Sequence, residues 1–217
     1  MLILKDERLD NRAGGPGRKN LPTKRAGHTR TVTERRPASD ALRIARERVL
    51  TRFRWEGGHA DLWRLFSDAE TLSAVVAGLA DPWPDHGVTK VCGIEARGFL
   101  LGGAVATRLG VGFVAVRKRD GLLPGPKVEA TTEPDYRGLT HVLRFQRESL
   151  RNGDRVVLVD DWAERGSQAR AVQRLIESCG AEFLGLSVIV DQLDQQVRSV
   201  LGQVTSIIHY EELPPVR

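Results

Sequence analysis

Cysteines and long apolar runs are scarce in this chain of 217 residues. The two cysteines, Cys92 and Cys179, lie far apart in no CxxC or histidine spacing, which argues against a metal site or a disulfide framework. No apolar run approaches the roughly 20 residues of a membrane helix. The N-terminus is charged by its fifth residue, unlike a secretory signal. We therefore expect a protein of the reducing cytoplasm with no membrane partner.

Most of the chain also lacks an excess of positive or negative charge. The net charge is +5, from 33 basic and 28 acidic residues. Residues 1–40 hold ten of the basic and five of the acidic residues, which leaves 23 of each sign in the remainder. The basic character therefore belongs to the N-terminal segment and says little about the folded part.

Residues 1–38 have the composition of a disordered basic tail. They contain GGPGRKN, PTKRAGHTR and RRPAS, with few large apolar residues and no period. Such a tail could serve as a tether for nucleic acid or another partner. It is also consistent with a solvated extension without a function, or with a misassigned start codon. Ser39 is a typical helix N-cap, so we expect residues 39–217 to form the domain.

Two strand–helix–strand units dominate the rest of the chain. The first runs from KVCGI through EARG and FLLGGAVATRL to GFVAVRK, and the second runs from RVVLVD through DWAERG and a helix to FLGLSVIVD. Strands this apolar belong in a mostly parallel sheet that is flanked by helices. Between the units, a loop rich in glycine and proline leads to a further strand, LTHVLRF. Helical spacing precedes them in ALRIARERVLTRF and, with a break near Ser67, in DLWRLFSDAETLSAVVAGLA.

Polar residues follow three of the predicted strands. Glu95–Arg97 and Asp160–Gln168 each stand between a strand and a helix, and Arg117 and Lys118 end a third strand. Ligands bind outside the carboxyl ends of strands in open α/β sheets, and helix N-termini attract anions. A sugar phosphate, which is anionic and rich in hydroxyls, fits these residues. Taken alone, two adjacent aspartates are also typical of a turn and a helix cap.

Two of these segments carry a family resemblance. GIEARGFLLGGAVATRLGVGFVAVRK resembles the core of the adenine phosphoribosyltransferases, and VVLVDDWAERGSQ resembles the motif with which type I phosphoribosyltransferases bind phosphoribosyl pyrophosphate. The resemblance implies a type I phosphoribosyltransferase fold, with a mobile loop and a small hood region. It implies transfer of ribose 5-phosphate to a purine base, adenine foremost, with release of pyrophosphate. It also implies Mg²⁺, bound mainly through the pyrophosphate with no metal ligands from the protein, and a homodimer.

The resemblance also assigns roles to individual residues. Asp135, in DYRG, would manage the purine proton as the catalytic residue, with Tyr136 beside it. Asp160 and Asp161 would hold the ribose hydroxyls. Pyrophosphate would be bound by Arg97, Arg117 and Lys118. The 5′-phosphate loop would consist of Glu164, Arg165, Gly166, Ser167 and Gln168.

The sequence departs from the family pattern at both ends of the predicted site. The family loop reads roughly Ala-Thr-Gly-Gly-Thr, whereas this chain has Glu164 to Gln168 with one glycine. At the base-binding end, GGHAD replaces an apolar-Phe-Arg-Asp run. There His59 would either contact the base, by stacking or a hydrogen bond, or only cap and pack. Trp162 would either pack the loop or present its indole to a ligand.

Three functions are consistent with these observations. The first is an active purine phosphoribosyltransferase. The second is a non-catalytic sensor of phosphoribosyl pyrophosphate or a nucleotide, whose basic tail alone contacts nucleic acid. The third is phosphoribosyl transfer to a non-purine acceptor. This function is favoured by His59 and by the absence of the arginine that the family has in its apolar-Phe-Arg-Asp run.

Overall fold

The computed structural model describes residues 39–119, 122–134 and 138–216. Its helices are α1 (Asp40–Arg52), α2 (Trp63–Phe66), α3 (Ala69–Ala80), α4 (Arg97–Leu109), α5 (Ser167–Ser178) and α6 (Gln195–Val200). Its strands are β1 (Trp55–Glu56), β2 (His59–Ala60), β3 (Lys90–Ile94), β4 (Gly112–Lys118), β5 (Lys127–Thr131), β6 (Val142–Gln146), β7 (Arg155–Ala163), β8 (Glu182–Asp191) and β9 (Gln203–His209). The predicted tail, residues 1–38, lies outside the described residues, so the domain boundary stays a prediction.

A seven-stranded sheet forms the centre of the domain, in the order β5-β6-β4-β3-β7-β8-β9. Strands β4, β3, β7, β8 and β9 run parallel, while β5 and β6 pair antiparallel at one edge. This arrangement confirms the predicted mostly parallel α/β fold. It also brings the carboxyl ends of β3 and β7 side by side, which is where the sequence places its polar residues.

Apolar side chains bury both faces of the sheet. Helices α1, α3 and α4 cover one face through residues such as Val49, Leu79 and Leu101. On the other face, Val172 and Ile176 of α5 pack against the sheet. Strand β7 serves both layers, because alternate residues of its buried run point to opposite faces. Among the described helices, none has the length and apolarity that crossing a membrane requires.

The helical break predicted near Ser67 is present. Helix α2 ends at Phe66, and the side chain of Asp68 caps α3 by accepting a hydrogen bond of 2.9 Å from the backbone N–H of Thr71. Before α2, a hairpin of β1 and β2 turns at Gly57 and Gly58, both of which have positive φ. This hairpin carries His59 to the carboxyl edge of the sheet.

Candidate active site

A cleft of about 810 Å³ opens at the carboxyl ends of the parallel strands. Its walls come from β3, β7, the loop before α5 and the β1–β2 hairpin. The predicted site residues that line it are His59, Arg97, Lys118, Asp160, Asp161, Glu164, Arg165, Gly166, Ser167 and Gln168. The fold therefore gathers most of the residues that the sequence singled out into one cavity.

Asp160 lies where the end of β7 meets the start of α4. Its Oδ1 accepts a hydrogen bond of 2.9 Å from the backbone N–H of Asp161. The same oxygen would lie 3.0 Å from a Cβ on Gly98, so glycine leaves the room that this carboxyl group occupies. Burial, with a smaller contribution from the nearby Asp161 carboxylate, raises the pKa of Asp160 well above its ordinary value. Asp160 is thus an acid that the folded protein holds at a cost when it is ionised.

Asp161 has a direct cationic partner. Its Oδ2 lies 2.5 Å from Nε of Arg97, the first residue of α4, and the residue is only 6% exposed. The ion pair ties the end of β7 to the start of α4 across the sheet. The two aspartates are therefore unequal, since one is neutralised by an arginine and the other is not held in an ion pair by any described residue.

This inequality predicts opposite effects of two identical substitutions on stability. Because the raised pKa keeps Asp160 protonated to a higher pH in the folded state, the contribution of this one residue to the free energy of unfolding falls as the pH rises above about 4, the pKa of an unfolded aspartate. Asp160→Asn removes that cost, so we expect a higher Tm at pH 7, by about 2–4 °C for each 1 kcal/mol gained.

Thermal unfolding from pH 4 to pH 8 tests this expectation. The gap between Asp160→Asn and wild type should grow with pH and close near pH 4. Asp161→Asn is the matched control, because it loses the Arg97 pair and should not raise Tm. A Tm of Asp160→Asn at pH 7 that equals or falls below that of wild type would show that Asp160 carries no such cost.

The turn between β3 and α4 packs backbone against backbone. A Cβ on Gly93 would lie 2.0 Å from the carbonyl oxygen of Gly98, so only glycine fits there. The Glu95–Ala96 peptide bond is cis. Helix α4 has no side-chain cap, and its first N–H groups face the cleft end of the sheet, where they suit an anion.

Arg117 is placed differently from Arg97 and Lys118. Its Nη2 lies 2.9 Å from Oε1 of Glu95, and its Nη1 donates to the carbonyl of Leu122 at 2.7 Å. The hydrogen bond from Arg117 lowers the pKa of Glu95. The side chain of Arg117 thus braces the β3–α4 turn, whereas Lys118 lines the cleft.

The loop before α5 has the shape of an anion cradle. Gly166 adopts φ +68°, and a Cβ there would lie 2.5 Å from Cγ1 of Val197. Helix α5 begins at Ser167 with no side-chain cap, so the N–H groups of Ser167, Gln168 and Ala169 are free for an anion. Arg165 is exposed, and the described residues contain no ion pair between it and Glu164.

Aromatic side chains form the opposite end of the cleft. The ring of Trp162 lies edge-on to Trp55 and Tyr210, with centroids 6.2 and 6.0 Å apart. Its Nε1 donates a hydrogen bond of 3.0 Å to Oε1 of Gln192. All four side chains line the cleft, so Trp162 packs against its neighbours and also borders the cavity, while its contact with a ligand stays a prediction.

Several residues of this end were not predicted from the sequence. Trp55, Trp63, Gln192 and Tyr210 line the cleft together with the predicted His59, which is exposed. No motif marks them: Trp55 belongs to the hairpin, Trp63 begins α2, and Gln192 and Tyr210 directly follow β8 and β9. For Gln192 and Tyr210 the sheet order would have been the signal, because β8 pairs with β7 and β9 pairs with β8.

The predicted catalytic residue Asp135 and its neighbour Tyr136 lie outside the described residues. Thr132 precedes these two residues and His141 follows them, and the backbone N–H of Thr132 donates a hydrogen bond of 2.8 Å to the carbonyl of His141. The assigned roles of Asp135 and Tyr136 stay predictions.

Comparison with known proteins agrees with this geometry. Residues 74–208 match the phosphoribosyl transferase domain family. An adenine phosphoribosyltransferase of Dinoroseobacter shibae is 40% identical over 149 residues, which are 69% of this chain and 82% of that protein. The crystal structure of adenine phosphoribosyltransferase from Thermoanaerobacter pseudethanolicus is similar, with a TM-score of 0.68, 29% identity, and coverage of 76% of this chain and 99% of that one.

A second solved structure holds ligands. It is the adenine phosphoribosyltransferase of Saccharomyces cerevisiae in complex with an imino-altritol bisphosphate and adenine, with a TM-score of 0.66, 26% identity, and coverage of 76% of this chain and 98% of that one. The paired acids, the two uncapped helix starts and these likenesses lead to one conclusion. The chain belongs to the phosphoribosyl transferase family.

Proposed function

We propose that the protein transfers ribose 5-phosphate from phosphoribosyl pyrophosphate to adenine and releases pyrophosphate. The observation that carries this proposal is the pair Asp160 and Asp161 in one cleft with the starts of α4 and α5, neither of which has a side-chain cap. Relatives named adenine phosphoribosyltransferase support the choice of base.

The donor is proposed to lie along the cleft with its charged groups at the two helix starts. The 5′-phosphate binds the N–H groups at the start of α5, where the loop backbone replaces the threonines that the family pattern has. The ribose hydroxyls donate to Asp160 and Asp161. The pyrophosphate lies at the start of α4, beside Arg97 and Lys118. This arrangement requires nothing from Arg117 except the support that it gives to Glu95.

The reaction breaks the bond between C1′ and the pyrophosphate oxygen and forms a bond between C1′ and a ring nitrogen of the base. Pyrophosphate leaves with the electron pair, and the base loses a proton from the same nitrogen. Positive charge develops on the ribose in the transition state, so nearby carboxylates favour it, and Arg97 and Lys118 favour the leaving dianion. Asp135 is proposed as the group that takes the proton.

Mg²⁺ is proposed to enter with the donor. The described residues contain no cluster of three His, Cys, Asp or Glu side chains that could hold a metal ion. Mg²⁺ keeps several of its waters and binds substrate phosphates, so the pyrophosphate of the donor is proposed to supply most of its ligands. When bound, the metal neutralises charge on the leaving pyrophosphate.

Release of pyrophosphate tests the proposed function. The full chain is incubated with phosphoribosyl pyrophosphate, Mg²⁺ and single bases from a panel of purines, pyrimidines and other heterocycles. We expect release with adenine. Release only with a non-purine base would establish the alternative acceptor, and no release with any base would exclude catalysis on that panel.

Substitution of Arg97 should separate pyrophosphate from the rest of the donor. Arg97→Ala removes a charge that faces the leaving group, so pyrophosphate should bind about 10-fold or more weakly, as expected for loss of a charge-assisted hydrogen bond. Binding of adenosine monophosphate, which lacks that group, should change much less. Calorimetry of both ligands measures this, with Arg108→Ala at the far end of α4 as the control. Equal loss for both ligands would contradict the placement of Arg97.

A homodimer in the cytoplasm is also proposed. Leu100 of α4 and Phe113 of β4 are 38% and 36% exposed, and the Phe113 ring lies 6.0 Å from that of Phe99. Such an apolar surface supports burial against a second copy. Sedimentation equilibrium would show a single species of twice the chain mass, whereas a monomer at micromolar concentration would refute the proposal.

The sensor alternative rests on the altered phosphate loop and on the charge of the N-terminal segment. It predicts DNA or RNA binding that weakens with salt and disappears when residues 1–38 are deleted. Binding that is absent or independent of these residues would remove this alternative.

A further inference from the structure

The side chain of Gln192 has a fixed orientation in the cleft. Its Oε1 accepts the hydrogen bond from Nε1 of Trp162 at 3.0 Å. An indole N–H can only donate, so the amide oxygen must face Trp162. The backbone is fixed as well, because the N–H of Gln192 donates to the carbonyl of Ala163 at 2.8 Å. The amide nitrogen is therefore the polar group that Gln192 has left to offer.

This amide nitrogen belongs to the aromatic end of the cleft. Trp162 follows directly after Asp161, which the proposed function places on the ribose. Trp55 and Tyr210 contact the Trp162 ring, and all of these residues line the same cavity as Gln192. A planar base attached to C1′ must lie next to the ribose and away from the two helix starts that take the phosphates. The aromatic end suits such a base, because Trp162 adjoins Asp161 in the chain and none of these residues belongs to the start of α4 or α5.

We infer that Gln192 is a specificity-determining residue, and that Trp162 orients it so that its amide N–H₂ donates to an acceptor atom on the edge of the base. The inference rests on the proposed function and extends it from the donor to the acceptor. The edge that meets Gln192 must carry an unprotonated ring nitrogen or a carbonyl oxygen. In adenine the acceptor atom is therefore a ring nitrogen, because the exocyclic amino group is itself a donor and cannot accept from the amide N–H₂ of Gln192.

Two ligands that differ only by the base isolate this contact. Adenosine monophosphate carries the base, and ribose 5-phosphate fills the same phosphate and ribose positions without it. Gln192→Leu removes the donor at similar size, so we expect adenosine monophosphate to bind about 10-fold more weakly, as for a lost hydrogen bond that leaves a group unpaired. Ribose 5-phosphate should bind as it does to wild type.

Trp162→Phe tests the orienting step. It keeps a ring but deletes the N–H that holds Oε1, so the amide can turn over. We expect a smaller loss, about 3-fold, again for adenosine monophosphate and not for ribose 5-phosphate. Gln196→Leu, a glutamine exposed on α6 outside the cleft, is the matched control and should leave both affinities unchanged.

Calorimetric titration of the full chain with each ligand decides the outcome. Selective loss for adenosine monophosphate in Gln192→Leu and Trp162→Phe supports the inference. Unchanged affinity in Gln192→Leu overturns it while leaving the proposed function intact, and so does equal loss of both ligands, which would mean a merely structural role. A wild type that binds neither ligand and releases no pyrophosphate would overturn the proposed function and this inference together.

Discussion

Replacing Asp160 and Asp161 together by asparagine is expected to lower kcat/KM for phosphoribosyl pyrophosphate by at least about 10³-fold, since a single preorganised group at a reacting centre is worth about 10²–10³. The substitution removes both charges at nearly constant volume. It replaces one acceptor oxygen of each carboxylate that faces the ribose hydroxyls by an N–H₂ donor, and it takes the negative charge from beside the developing cation. Loss of the ion pair to Arg97 would also leave that side chain free to move.

Three measurements on this variant separate a site effect from misfolding. Initial rates of pyrophosphate release give kcat/KM, calorimetry gives donor affinity, and circular dichroism shows whether the fold is intact. The double variant Asp81→Asn plus Asp85→Asn is a matched control, because these two acids are exposed before β3, at the opposite edge of the sheet. A folded Asp160/Asp161 variant with normal donor affinity would mean that the acids are only structural.

Gly166→Ala is expected to have the second largest effect, on both stability and donor binding. A non-glycine residue at φ +68° costs about 1–2 kcal/mol, and crowding in a packed interior adds about 1–3 kcal/mol. The crowding follows from the 2.5 Å that would separate the new Cβ from Cγ1 of Val197. The loop must therefore move, and the N–H groups at the start of α5 move with it.

Gly153→Ala separates the two causes. Gly153 has φ +85°, and nothing lies within 4 Å of a Cβ built there. Denaturant unfolding should give about 1–2 kcal/mol for Gly153→Ala and about 2–5 kcal/mol for Gly166→Ala, and only the latter should raise KM for the donor. Equal destabilisation by the two variants, with unchanged KM, would show that the Val197 contact does not shape the loop.

The fold was largely predictable because its strands are marked by apolar runs that end in polar turns. The β7 run before Asp160 is buried from Val156 to Val159, which is what a central parallel strand requires. The break near Ser67 was also predictable, and its cause is local, since Asp68 caps the following helix. Strand β9 was not predicted, because a smaller share of its residues is apolar than in the other parallel strands of the sheet. Three of its positions are only half-buried.

Side-chain partners were harder to predict than strand ends. Arg97 and Arg117 both follow or end a strand, so periodicity treats them alike. The structure pairs one with Asp161 of β7 and the other with Glu95 of the β3–α4 turn, a choice that depends on which strands are neighbours. The contact between Trp162 and Gln192 joins residues 30 positions apart and depends on the pairing of β7 with β8 for the same reason.

The most direct test of the proposed site is a crystal structure of the full chain with phosphoribosyl pyrophosphate and Mg²⁺. We expect the ribose hydroxyls within hydrogen-bond distance of Asp160 and Asp161, and the 5′-phosphate on the N–H groups of Ser167, Gln168 and Ala169. The pyrophosphate should lie at the start of α4 beside Arg97. A donor bound elsewhere, or bound in the cleft with both carboxyl groups turned away from the sugar, would contradict the proposal.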